Sequence, residues 1–143
     1  MTPYYEQDNV TIYHGDCRAV LGSLYEGKGQ AHRAFDLVLT DPPYGINFAG
    51  QPTKWQRRAG QAPEQWDSMT SPEGLAFART LCKYQIVWGG NYYDLPIARC
   101  WLSWHKPDAP PSMGNVEYAW TNFDQNSRMV SASISATNPE RVG

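Results

Sequence analysis

The sequence predicts an α/β fold in which helices and strands alternate around one sheet. The apolar run Phe35–Thr40 contains the β-branched and bulky residues typical of a buried parallel strand, and Tyr84–Trp88 is predicted as the next strand. Between them, Ser71-Pro72-Glu73 indicates a helix start, because Ser is a favoured N-cap, Pro suits the first helical position and an acid suits the first turn. With 143 residues, the chain is expected to form one domain.

The other elements follow from the same kinds of signal. Val10–Tyr13 is predicted as a short strand, followed by a helix that begins near Asp16 and runs through Leu24. The helix after Ser71 is predicted to run to about Cys82 with a buried face formed by Leu75, Phe77, Ala78 and Leu81. Further strands are predicted at Cys100–Lys106, Val116–Thr121 and Met129–Ser135, and an unstructured tail at Thr137–Gly143.

Composition gives no indication of a metal site, of a membrane span or of nucleic acid binding through the overall charge. The net charge of −2 does not indicate nucleic acid binding by the protein as a whole, so a DNA role would depend on local basic patches. Three cysteines without metal-site spacing favour a reducing cytoplasm, and the scattered histidines imply no metal. The sequence shows neither a signal-like amino terminus nor an apolar run of membrane-spanning length.

The chemistry is concentrated in the turn after the first long strand, Thr40-Asp41-Pro42-Pro43-Tyr44-Gly45. The two prolines remove backbone donors and hold the chain extended, so the turn is stiff and rich in carbonyl acceptors. A carboxylate beside a fixed carbonyl can accept both hydrogens of an exocyclic amine, and Tyr44 offers a face on which a base can stack. Gly45 lets the chain turn away at once. A plain Asp-Pro loop is the alternative for the dipeptide alone.

Two glycines end the second long strand. Gly89-Gly90 lacks the third glycine of a nucleotide-binding loop, and Pro96 interrupts the segment that follows. The pair is therefore predicted to make a tight strand exit that borders the site, followed by a turn over Asn91–Asp94.

The turn at Asp41 resembles the catalytic motif of the DNA amino-methyltransferases, which methylate N6 of adenine or N4 of cytosine. The resemblance extends over about positions 10 to 121, through Thr11–Cys17, Gln85–Tyr93 and Trp101–Lys106. It implies a Rossmann-like, three-layer α/β sheet and transfer of a methyl group from S-adenosylmethionine to a flipped base in double-stranded DNA. In this family aspartate as the first motif residue favours adenine N6. The resemblance also implies a role in restriction–modification.

The resemblance also implies roles for individual residues. The catalytic residues would be Asp41, Pro42 and Tyr44. The cofactor would be held by Asp16, Cys17, Asp41 and Pro43. For Asp16 a second role is equally open, because the same carboxylate can cap the helix that it precedes.

A long polar segment, residues 46–70, follows the catalytic turn. A loop of this length inside a compact domain is usually functional or disordered, and it is expected to be mobile and to contact DNA. Lys54, Trp55, Arg57 and Arg58 combine cations with an aromatic ring, which suits phosphate contact and stacking. The alternative is a solvated loop in which Trp55 is merely packed down.

The family's glycine-rich cofactor loop is not found in this chain. In the permuted subclass, which this motif order resembles, that loop follows near the carboxyl end. Residues 1–143 are therefore expected to be the catalytic part of one methyltransferase domain. A longer natural chain and a degenerate half both remain open. The rival functions are a catalytically incomplete DNA-binding remnant or split-enzyme half, and an amine methyltransferase acting on cytosine N4, RNA or a protein amide.

The resemblance carries an expectation about strand order. Val10–Tyr13 would lie at one edge of the sheet and Phe35–Thr40 near its centre, with two strands between them that this chain lacks. Phe35–Thr40 would then have no native neighbour on one side. We expect the gap to be closed by Val10–Tyr13 shifting in, by a second chain, or by a carboxyl-terminal segment.

Overall fold

The computed structural model describes residues 1–25, 34–47, 65–111 and 113–135. Within these ranges the chain forms two helices and seven strands in an α/β arrangement. In chain order these are β1 (Tyr5–Gln7), β2 (Val10–Ile12), α1 (Cys17–Tyr25), β3 (Phe35–Thr40), α2 (Pro72–Thr80), β4 (Cys82–Trp88), β5 (Trp101–His105), β6 (Val116–Thr121) and β7 (Arg128–Ser131), with a short 3₁₀ turn at Gly90–Tyr92 between β4 and β5.

The main sheet is mixed and has five strands in the order β3-β4-β6-β5-β7. The pairs β3–β4 and β5–β7 are parallel, whereas β6 is antiparallel to both of its neighbours. Four strands therefore point the same way, and β6 alone runs against them. As a result, the carboxyl ends of β3, β4 and β5 and the amino end of β6 meet at one edge of the sheet.

The prediction that Val10–Tyr13 belongs to this sheet is wrong. In the structure β2 pairs antiparallel with β1 in a separate two-stranded sheet, with Gln7 opposite Val10. The turn between them needs only Asp8 and Asn9, and Asp8 takes a left-handed φ of 53°, which a short polar residue tolerates. A partner two residues away costs little loop-closure entropy, so the local pairing prevails over a distant one.

Both predicted helices are present, with boundaries within two residues of the predicted ones. The Asp16 carboxylate caps α1, since its Oδ1 accepts the Arg18 amide at 2.9 Å. Ser71 precedes α2 as predicted, but its hydroxyl makes no capping hydrogen bond. Instead the Ser71 carbonyl accepts the Leu75 amide at 3.1 Å, and Pro72 fixes the first helical φ.

The core lies where α2 packs on β4 and β6. Leu75, Val87 and Trp120 are buried there, and the Trp120 indole donates to the Pro96 carbonyl at 2.7 Å. Partly buried side chains complete the cluster, namely Tyr93, Leu95, Ala98 and Trp101. One apolar cluster thus packs α2 against β4 and β6.

Among the described residues, β3 has a strand neighbour on one side only, which is β4. The described residues therefore leave one side of Phe35–Thr40 without a strand neighbour, as the sequence predicted. Leu37 and Leu39 are 44% and 61% exposed, although they belong to an apolar strand. Since β2 is committed to its own hairpin, it does not close the gap, whereas a second chain and a carboxyl-terminal segment stay predictions.

None of the helices in the described ranges has both the length and the apolar character needed to cross a membrane.

Candidate active site

The meeting strand ends enclose a cleft of about 560 Å³. Asp41 follows β3, Gly89 follows β4, Lys106 follows β5, and Glu117 lies at the start of β6. The predicted catalytic residues Asp41, Pro42 and Tyr44 all line this cleft. The other lining residues come from the chain just after the turn, the segment before α2, the 3₁₀ turn after β4, the β5–β6 connection and β6. They include Ile46, Trp66, Asp67, Asn91, Tyr92, Met113 and Tyr118.

Tyr44 is held on both its ring and its hydroxyl. Its ring stacks on Tyr92, with centroids 4.9 Å apart and planes 16° from parallel. Its hydroxyl donates a hydrogen bond to Asp41 Oδ1. The pKa of Tyr44 is raised well above its usual value. Burial is the larger cause, and the hydrogen bond to the Asp41 carboxylate is the second. The phenol therefore stays neutral and remains a donor at any physiological pH.

Gly89 makes room for the Tyr44 ring, as expected for a strand exit that borders the site. Its φ is +63°, and a Cβ placed on it would lie 2.0 Å from Tyr44 Cε1. A side chain at this position would overlap the ring, and the left-handed backbone would be strained as well. The close contact between the end of β4 and the turn that contains Asp41 therefore requires glycine.

Asp67, in the segment before α2, holds the backbone of the turn that contains Asp41. Its side chain is 1% exposed, and its Oδ1 accepts the amides of Tyr44 and Gly45 at 2.6 and 3.0 Å. Gly45 has φ +72°, which confirms the prediction that this residue turns the chain away from the strand. Sequence reasoning missed Asp67, since 22 and 23 residues separate it from its partners.

Tyr93 ties the turn to α2. Its hydroxyl donates to the Pro43 carbonyl at 2.5 Å and receives the Ser71 amide at 3.5 Å. Burial raises the pKa of Tyr93 above its ordinary value. The Pro43 carbonyl is therefore already an acceptor within the fold, while Pro42 belongs to the cleft.

An ion pair between a buried lysine and a partly exposed glutamate closes the cleft on the β5–β6 side. The Lys106 ammonium is 3% exposed, pairs with the Glu117 carboxylate and lies 5.4 Å from the centre of the Trp104 ring. A buried ammonium needs such a partner, because leaving it unpaired would cost several kcal/mol. No sequence motif singled out this pair, since its members are 11 residues apart in the chain.

Asp16 and Cys17 lie apart from the residues that line the cleft. The Arg18 guanidinium lies 2.6 Å from the Asp16 carboxylate and holds its pKa low, at about 2. Both residues are exposed at the amino end of α1, which packs near the start of α2: a Cβ on Gly74 would lie 3.7 Å from Cys17 Sγ. A contact path thus runs from Cys17 through α2 and Tyr93 to Pro43.

The predicted DNA-binding residues Lys54, Trp55, Arg57 and Arg58 lie outside the described residues. In the described ranges, no group of three or more His, Cys, Asp or Glu side chains could hold a metal ion.

Comparison with known proteins gives a partial likeness. A segment of the chain is similar to a methyltransferase. Over 44 residues it is 43% identical to the type II methyltransferase M.ScaI of Streptomyces caespitosus, and that segment is 31% of this chain. The match spans only 12% of the length of M.ScaI. No protein-family model and no solved structure matches the chain.

Proposed function

We propose that this chain is the catalytic part of an S-adenosylmethionine-dependent methyltransferase that methylates N6 of a flipped adenine in double-stranded DNA. The observation that carries the proposal is the convergence of Asp41, Pro42 and Tyr44 on one cleft at the carboxyl end of a parallel strand. The segment similar to M.ScaI supports the same reaction class. The mixed α/β sheet is compatible with the Rossmann-like sheet that the reaction class implies.

Asp41 and Pro42 would form a clamp, which acts on the amine that is to be methylated. An exocyclic amino nitrogen is a poor nucleophile, because its lone pair is delocalised into the ring. The Asp41 carboxylate and the Pro42 carbonyl would accept its two hydrogens and favour a pyramidal nitrogen with an exposed lone pair. These acceptors are fixed by the turn, so they stabilise the charge developing on nitrogen without reorganising.

The aromatic stack would hold the base itself. Tyr44 already lies parallel to Tyr92, and Trp66 and Tyr118 line the same cleft with 58% and 47% of their surface exposed. Stacking a base on one aromatic side chain contributes about 1–3 kcal/mol. Since the target atom lies inside the duplex, the base has to be flipped out to reach this cleft.

S-adenosylmethionine supplies an electrophilic methyl group on a sulfonium when it is bound. The donor set expected for it fits in part: Asp16 and Cys17 are accessible at the start of α1, but Arg18 already binds the Asp16 carboxylate. Pro43 would contribute its ring, since its carbonyl is taken by Tyr93. Asp41 is the residue that the two sites would share.

Methyl transfer can be tested directly. The protein is incubated with S-adenosylmethionine carrying a deuterated methyl group and with double-stranded DNA of mixed sequence, and the digested nucleosides are analysed by mass spectrometry. We expect deuterated N6-methyladenine from the wild type and from Asp124→Ala, a matched control that removes an exposed carboxylate paired with Arg99 outside the cleft. Asp41→Ala is expected to give none.

Other products would revise or overturn the proposal. Labelled N4-methylcytosine would overturn adenine as the target but keep the clamp. A calorimetric titration with S-adenosylmethionine separates the remaining outcomes. Saturable binding without DNA methylation would direct the clamp to another amine, such as RNA or a protein amide. No binding would favour the DNA-binding remnant.

A further inference from the structure

One buried carboxylate near the cleft has no part in the reaction as proposed. Asp67 lines the cleft but is only 1% exposed, and its Oδ1 faces the backbone of the catalytic turn. It accepts the amides of two successive residues, Tyr44 and Gly45. A buried carboxylate is costly unless hydrogen bonds of this kind compensate it, so its placement here needs an explanation.

The two amides need an acceptor because of the local sequence. Pro42 and Pro43 carry no backbone donors, so Tyr44 and Gly45 provide the first N–H groups after the strand. Both point to one oxygen, at 2.6 and 3.0 Å, and hydrogen bonds to an ionised acceptor are about twice as strong as neutral ones. That oxygen therefore fixes where the backbone leaves Pro43 and where the Tyr44 side chain starts.

The segment that carries Asp67 is itself joined to the turn. The Asp67 carbonyl accepts the Asn47 amide at 2.9 Å, and a Cβ on Gly45 would lie 3.2 Å from the Thr70 backbone nitrogen. The backbone segments 44–47 and 67–70 thus lie side by side in contact. Moving Asp67 would move Tyr44, and with it the hydroxyl that donates to Asp41.

We propose that Asp67 is the positioning residue for the catalytic turn: its carboxylate sets the position of Tyr44, and through Tyr44 the orientation of the Asp41 clamp. This inference rests on the proposed function for its effect on rate, but not for its effect on the turn. In the reaction as proposed, Asp67 has no direct contact with the reacting amine or the methyl group. It acts by fixing a pair of amides.

The test combines an activity-free measurement with kinetics. Amide hydrogen exchange is measured in the wild type, Asp67→Ala, Asp67→Asn and Asp108→Ala. Asp108 is the matched control, because its carboxylate also accepts two successive amides, those of Ile134 and Ser135, and does not line the cleft. We expect Asp67→Ala to speed exchange at Tyr44 and Gly45 at least tenfold, and Asp108→Ala to do so only at residues 134 and 135.

Steady-state kinetics then separate positioning from binding and from mere loss of fold. A misplacement of about 1 Å at a reacting group costs about 100-fold in rate, so Asp67→Ala should lower kcat by about that factor with KM for DNA within threefold. Asp67→Asn keeps an acceptor of the same shape, so its kcat should recover to within about tenfold of wild type. Circular dichroism checks the fold of each variant.

The outcomes distinguish the two proposals. Unchanged exchange at Tyr44 and Gly45 in Asp67→Ala would overturn the inference, as would a wild-type kcat accompanied by fast exchange. If Asp67→Ala does not fold, Asp67→Asn decides: protected amides with kcat more than 100-fold down would overturn it, because charge rather than position would then matter. If the wild type transfers no methyl group, the proposed function fails, and exchange at Tyr44 and Gly45 still judges Asp67.

Discussion

At the scale of single residues, Asp41 is the most exacting test of the proposed chemistry. Asp41→Ala should abolish methyl transfer and leave DNA affinity within a few fold, because the clamp acts on the reacting amine and not on the duplex. Asp41→Asn keeps one acceptor but loses the charge, so it should retain little or no activity. Rates come from labelled methyl transfer and affinities from fluorescence anisotropy. A rate above about a tenth of wild type, equal to at most about 1.4 kcal/mol of barrier, would contradict the role.

Gly89 supports a second prediction at this scale. A methyl group at this position would overlap the Tyr44 ring, and φ +63° adds about 1–2 kcal/mol of strain. Gly89→Ala should therefore lower the free energy of unfolding by at least that amount and displace Tyr44 from Tyr92. Gly114→Ala is the control, since Gly114 lines the same cleft and its added Cβ would have room. Equal unfolding midpoints for the two variants would refute the steric argument.

The sequence predicted the residues that share one motif and missed those that meet only through the fold. Asp41, Pro42 and Tyr44, which line one cleft, could be singled out because a carboxylate, two prolines and an aromatic ring follow a strand in succession. Asp67 and Glu117 carry no such local pattern. Their importance comes from partners 11 to 23 residues away, which only the three-dimensional arrangement brings close.

At the scale of elements, the Asp108 carboxylate holds the segment that follows β7. Asp108 accepts hydrogen bonds from Ser133, Ile134 and Ser135, and these hold its pKa far below the usual range. Because the folded pKa is lower than the unfolded one, the contact stabilises the fold above about pH 4 and loses this effect as pH falls further. Thermal unfolding midpoints measured from pH 6 down to pH 2 should fall less steeply for Asp108→Ala than for the wild type. Parallel curves would show that the contact adds nothing.

The segment after the catalytic turn gives an electrostatic prediction. Replacing Lys54, Arg57 and Arg58 together by Ala should weaken DNA binding about equally for all sequences. The slope of log K against log salt should flatten by up to about three units, since each lost phosphate contact removes about one. Anisotropy titrations over a range of salt concentrations measure the slope. An unchanged slope would assign these residues to a solvated loop.

Element boundaries were predictable where hydrophobic pattern and packing agree. β3 and β6 have the predicted bounds, because both are apolar runs flanked by turn residues. The hairpin was not predictable from its pattern, since Tyr5–Gln7 has no apolar alternation and all six residues of β1 and β2 are exposed. A tight turn at Asp8 and Asn9, rather than burial, decides that pairing.

At the scale of the whole molecule, the side of β3 that has no strand neighbour among the described residues predicts association. An apolar strand with unpaired backbone on one side is a template for another chain. The 143-residue chain should therefore not behave as a clean monomer, and sedimentation velocity should show mass that rises with concentration. Leu39→Lys, at an exposed position on this strand, should reduce that rise. A stable monomer with Val38 on an open edge would contradict the strand order implied by the resemblance.

The combination of antiparallel and parallel strand pairs in one sheet predicts an order of folding. β5 and β6 are antiparallel neighbours joined by residues 106–115, whereas the parallel pair β3–β4 has to wait for a crossover of residues 41–81. Closing the longer connection costs more chain entropy, and such distant pairings form more slowly. We therefore expect the Lys106–Glu117 side of the cleft to form first. The strand that delivers Asp41 would dock last and be among the first to open.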